Sequence, residues 1–89
     1  MGTRSTAGWT DDERAFLVRL GEAVRARRTS IGVSQEGLAE RSGHHRNFVG
    51  GVERGEMNVS ALGLRRLADA LGCTVPDLFE ADRGVQGVD

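Results

Sequence analysis

Helix start and stop signals follow one another so closely along this chain that only short helices fit between them. Thr10-Asp11-Asp12-Glu13 has the form of a capping box, T-x-x-E, in which a hydroxyl and a carboxylate satisfy amides that a helix start leaves unpaired. Ser34 and Ser60 stand in cap positions before two later apolar-periodic runs, and Gly32, Gly43, Gly55 and Gly72 stand where helical runs stop. Between these signals apolar residues recur at helical spacing: Phe16, Leu17, Leu20 and Val24; Leu38 and Ala39; Val49 and Val52; Leu62, Leu64, Leu67, Ala68 and Leu71. Strand-like alternation, repeats and low-complexity stretches are absent. The pattern predicts an all-α fold of five helices: Thr10 to about Arg28, a second from Ser34 to Gly43, a third from about Arg46 to Glu53 or Arg54, a fourth from Ser60 to Gly72, and a short fifth ending near Glu80. Pro76 falls in the first turn of the fifth helix, with Leu78 and Phe79 as its apolar anchors.

A chain of 89 residues holds one small core. Aromatic residues make up only 4% of it, so that core must be aliphatic and modest, and a dimer interface would add to it. The expected division is a domain over residues 10–80, with flexible polar segments at 1–9 and 81–89. The one cysteine, Cys73, rules out an intrachain disulfide and fits a reducing compartment. No cationic start with an apolar run and no stretch of membrane-spanning length occurs. A cytoplasmic protein is expected.

Net charge is −1, which would argue against a nucleic-acid partner, but the charges are unevenly placed. Residues 25–54 carry six Arg against three Glu, giving +3, whereas residues 1–24 sum to −1 and residues 55–89 to −3. All twelve cations are Arg, the side chain whose planar fork binds phosphate and guanine through paired hydrogen bonds.

The basic middle contains two short helices joined by a tight turn at Gly43, the geometry of a helix-turn-helix. The residues go further. "LGEAVRARRTSIGVSQEGLAERSG", then "VERG", then "LRRLADALG" strongly resembles the DNA-binding domain of phage repressors and bacterial Cro/C1-type (XRE-like) regulators over roughly residues 18–80. Within that family "HRNFVGGVERGEMNVS" is similar to the controller proteins of restriction-modification systems. The resemblance implies a five-helix phage-repressor-like domain, a homodimer, and a near-palindromic double-stranded DNA operator with the third helix, about residues 45–54, in its major groove.

On a helical wheel centred on Val49, residues Val52, Glu53 and His45 gather on one side, while Arg46, Asn47, Gly50, Gly51 and Arg54 fall opposite. The glycine pair is thus expected on the exposed face, letting backbone and groove come close. Arg46 can donate two hydrogen bonds to guanine, and Asn47 can pair with adenine. Base contact is therefore assigned to Arg46, Asn47 and Gly50. The family match places Gln35 where repressors grip phosphate and brace the recognition helix. Ser34, His45, Arg54 and Asn58 are further phosphate candidates, His45 standing where a small hydroxyl residue commonly caps the helix. Arg28 and Glu53 match positions that form a structural ion pair in relatives, with phosphate contact a secondary role for Arg28. Leu78, Phe79 and Trp9 are assigned to the dimer interface, the alternative being that they close the monomer core. Glu56 is acidic where a cation would help.

An enzymatic reading finds no support: His44-His45 lacks further ligands at metal-binding spacing, no nucleophile–base arrangement is visible, and "GGVERG" lacks the sequel of a nucleotide loop. No cofactor or metal is expected. The rival reading is an antitoxin or interaction module whose main partner is another protein, favoured by the acidic C-terminal third.

Overall fold

The computed structural model describes residues 8–79. Of the expected flexible segments 1–9 and 81–89, residues 1–7 and 81–89 lie outside the described residues, as does the expected helix end at Glu80, whereas Trp9 is placed half-buried. The fold is all-helical: α1 spans Asp11–Ser30, α2 Gln35–Ser42, α3 Arg46–Glu53 and α4 Ala61–Leu71, followed by a short α5 over residues 75–79. Among the described residues there is no strand.

The caps form as the sequence predicts. Glu13 N–H donates to Thr10 Oγ1 at 3.0 Å and Thr10 N–H to Glu13 Oε1 at 2.9 Å, closing the box that starts α1. Ser34 and Ser60 hydroxyls accept from Gly37 and Gly63 amides at 2.9 and 3.0 Å, starting α2 and α4. A second reciprocal pair, Thr74 with Asp77, starts α5. Helix α1 runs two residues beyond Arg28 because Thr29 and Ser30 hydroxyls donate back to the Ala26 and Arg27 carbonyls. The α2–α3 turn depends on Gly43 at φ +76°, a conformation that costs a residue with a β-carbon. It lets the His44 amide return to the Ala39 carbonyl at 2.9 Å.

Leu20, Val24, Leu38, Val49, Val52, Leu67 and Leu71 form the centre of an aliphatic core, closed at one end by Leu78 at 2% exposure. Helix α3 packs against both α1 and α2, and α4 packs against α2 and, less extensively, α1. Two residues of the predicted apolar runs stay outside: Leu62 is 58% exposed and Phe16 47%. Phe16 instead stacks on Phe79 of α5, with centroids 5.5 Å apart and planes at 16°.

The tightest approach is between α1 and the end of α3. A β-carbon at Gly21 would overlap the Val52 carbonyl oxygen and lie 2.6 Å from that of Glu53. Both obstacles are backbone, so no rotamer change relieves them. Gly21→Ala should therefore destabilise the fold by about 1–3 kcal/mol, through the displacement that overpacking forces. A lower urea midpoint at unchanged slope would show it.

Candidate nucleic-acid interface

Glu53, the last residue of α3, is the anchor of this region. Its carboxylate accepts from Arg28 Nε at 2.6 Å and Nη2 at 3.1 Å, and from Gln35 Nε2 at 3.0 Å. Arg28 Nη1 also donates to the Val33 carbonyl at 2.9 Å. One acid thus ties together α1, the α1–α2 turn, α2 and α3. The ion-pair side chains are 12% and 4% exposed. Burial pushes the Glu53 pKa up, but the hydrogen bonds from Arg28 and Gln35, with the charge of Arg28 and Arg25, outweigh it and hold the carboxyl below its ordinary value. The predicted Arg28–Glu53 pair is present. Each of the three Arg28 nitrogens donates once inside the chain, which leaves one N–H on each terminal nitrogen for the expected secondary phosphate contact.

Beyond this brace, Gln35, Arg46, Asn47, Gly50 and Arg54 line a shallow polar depression of about 130 Å³. Arg46 and Asn47 are exposed in the first turn of α3. His45 caps that helix: Nδ1 accepts from the Asn47 amide at 3.3 Å. An imidazole so engaged in its neutral form carries its proton on Nε2. The adjacent His44 ring packs on Phe48, centroids 4.3 Å apart, with its Nε2 buried and unpartnered in the structure.

The glycine pair departs from expectation. Gly50 and Gly51 are both buried, not bare on an open face. A β-carbon at Gly51 would lie 2.7 Å from Met57 Cγ, since Met57 folds over it from the following loop. At Gly50 it would lie 3.2 Å from Arg54 Nη1 and 3.8 Å from Gln35 Oε1. A helical wheel counts only intrahelical directions, so long side chains arriving from neighbouring segments escape it. Gly50 is the floor of the depression, roofed by Arg54.

The remaining candidates are dispersed. Ser34 is exposed, its hydroxyl occupied in capping α2. Asn58 joins Trp9, Asp12, Glu13, Phe16 and Leu17 around a separate groove of about 410 Å³. Leu78 is buried within the chain, so its expected place in a dimer interface gives way to a core role, while Phe79 and Trp9 are half-buried. Sequence reasoning did not find the Arg54–Glu56 pair, Nε to Oε1 at 3.0 Å. The i, i+2 opposition of charges beside Gly55 was its only signal. Among the described residues no group of three metal-ligating side chains comes together, and no helix is long and apolar enough to cross a membrane.

The helix-turn-helix family model matches residues 24–78, more than half the chain and the whole of this geometry. The chain belongs to the Cro/C1-type helix-turn-helix family. That family consists of DNA-binding transcription regulators, not enzymes. Control protein C.SmaI of Serratia marcescens is 51% identical over 60 residues, covering 67% of this chain and 71% of the relative. The crystal structure of the restriction-modification controller protein C.AhdI from Aeromonas hydrophila superposes with a TM-score of 0.72 at 49% identity, over 73% of this chain and 98% of that one. The DNA-binding domain of the P22 c2 repressor superposes at 0.67 with 30% identity, over 71% and 83% of the two chains.

Two outcomes follow from the brace and the glycines. Because Glu53 titrates lower when folded, its contribution is complete above the unfolded value of 4.5 and disappears as pH falls through the folded one. Glu53→Gln should therefore cost about 2 kcal/mol near neutral pH. The deficit should shrink as pH falls through the lowered folded value, where the wild-type acid is itself protonated; urea titrations at neutral and progressively acid pH check the sign. Separately, Gly50→Ala should raise stability by up to about 1 kcal/mol, since its β-carbon meets mainly a flexible guanidinium, whereas Gly51→Ala should gain less because Met57 must move.

Proposed function

We propose that this protein is a sequence-specific transcriptional regulator that acts as a homodimer on a near-palindromic operator, in the manner of a restriction-modification controller. The observation that carries the reading is the convergence of Gln35, Arg46, Asn47 and Arg54 around the exposed start of α3. These are the groups that a duplex requires: a forked cation and an amide for base edges, with further donors for the phosphates on either side. In this reading α3 enters the major groove with Arg46 and Asn47 foremost. Gln35 at the start of α2, His45 through its Nε2 proton and Arg54 grip the backbone, and Gly50 admits the groove edge once Arg54 swings aside. Ser34 and Asn58 are secondary phosphate contacts, Asn58 from across the loop that follows α3.

Two copies would set their α3 helices about 34 Å apart, one turn of DNA, and so read a site with two-fold symmetry. Phe79, Phe16 and Trp9 leave apolar surface for that pairing, and the nearly full-length match to C.AhdI supports the controller assignment.

Binding-site selection from random duplexes, with affinity followed against salt, tests the reading. A recovered near-palindrome and a steep loss of affinity with salt are expected. Arg46→Ala should cost about 1–3 kcal/mol at the selected site and relax preference at one position in each half-site. Binding without sequence preference would overturn the proposed function.

A further inference from the structure

Arg54 has two anions within its reach: the carboxylate it already holds and, in the functional reading above, a DNA phosphate. Its Nε donates to Glu56 Oε1 at 3.0 Å across the turn that ends α3. Held in this way, the guanidinium lies back along the helix over Gly50 and beside Gln35, inside the polar depression. A side chain at position 50 would contest that place; glycine leaves it open. The two side chains are 62% and 53% exposed, so parting them shifts an equilibrium only a few-fold. The pair is therefore weak enough to be exchanged and close enough to compete.

We propose that Glu56 is an affinity-limiting competitor of DNA phosphate for Arg54: it holds the guanidinium in the free protein and on loosely bound, non-cognate DNA, so that a closely docked cognate site must break the pair to gain the contact. The proposal rests on the reading of this face as a DNA interface. Two anions compete for one guanidinium, and distance decides between them. When α3 finds no matching base edges, the duplex stays separated by solvent, and its phosphate acts through a medium that screens charge over about 8 Å. Glu56, at hydrogen-bond distance, keeps the guanidinium. When Arg46 and Asn47 seat on base edges, the backbone comes within reach of a charge-assisted hydrogen bond. Counterion release then adds to the exchange, and the phosphate takes it. Glu56 also repels every duplex as a plain negative charge, but that effect acts on cognate and non-cognate DNA alike.

The test uses the full chain, its Glu56→Gln and Arg54→Ala variants and the double variant. The probes are a duplex recovered by selection and a scrambled duplex of the same length and composition. Fluorescence anisotropy between about 50 and 200 mM salt gives affinity and salt slope for each. Glu56→Gln should bind both duplexes tighter as a repelling charge is lost, and the selected duplex by a factor several-fold larger, because only there must the wild-type pair be broken. In the Arg54→Ala background the same substitution should give no selective gain. An equal gain on both duplexes, no gain on either, or a selective gain that survives without Arg54 would each overturn the proposal. Failure to select any preferred duplex would instead take down the functional reading beneath it. The exposure of Glu56 leaves the fold of the variant intact, with an unchanged helical circular dichroism spectrum as the control.

Discussion

The carboxylate of Glu53 fixes where α3 sits, and the polar surface around the start of that helix follows from its position. Three donors from two other helices converge on it, and one of them, Arg28, also holds the turn between those helices. A buried ion pair of this kind adds little net stability over a well-packed apolar contact, yet breaking it strands a charge. Its worth is geometric: a helix of eight residues is too short to hold itself in place or to persist alone. Val49 and Val52 supply adhesion without direction, and Glu53 supplies direction.

The same network explains why Gln35 is a compound residue. Its amide nitrogen is committed to Glu53 at 3.0 Å while its oxygen faces the Gly50 floor. Any DNA contact it makes is made by a side chain already oriented from within. The outward-facing groups of α2 and α3 are thus positioned from within, and the two helices are joined as one body.

Much of this was legible in the sequence because it depends on local chemistry. Thr10-x-x-Glu13, Ser34, Ser60 and the stop glycines set helix limits to within a residue or two, and the Arg28–Glu53 pair followed from the family resemblance. The glycine pair was misread because burial at Gly51 comes from Met57, and at Gly50 from Arg54 and Gln35, side chains whose direction is decided in three dimensions. Leu78 was ambiguous for a related reason: apolar spacing says that a residue is covered but not whether its own chain or another covers it. Structure places it inside the monomer at 2% exposure. The Arg54–Glu56 pair was hidden in plain charge composition, where an acid in a basic segment reads only as a lost cation.

The close contact at Gly21 has an evolutionary consequence. Because α1 meets the end of α3 through backbone carbonyls, the docking of α3 is independent of the side chains turned outward at 46, 47 and 54. Those positions can be rewritten without disturbing the seat of the helix, much as the cutting edge of a tool is exchanged in a fixed holder. A scaffold fixed in this way can acquire new operators by substitution at a handful of surface positions, and so diverge alongside the genes it regulates.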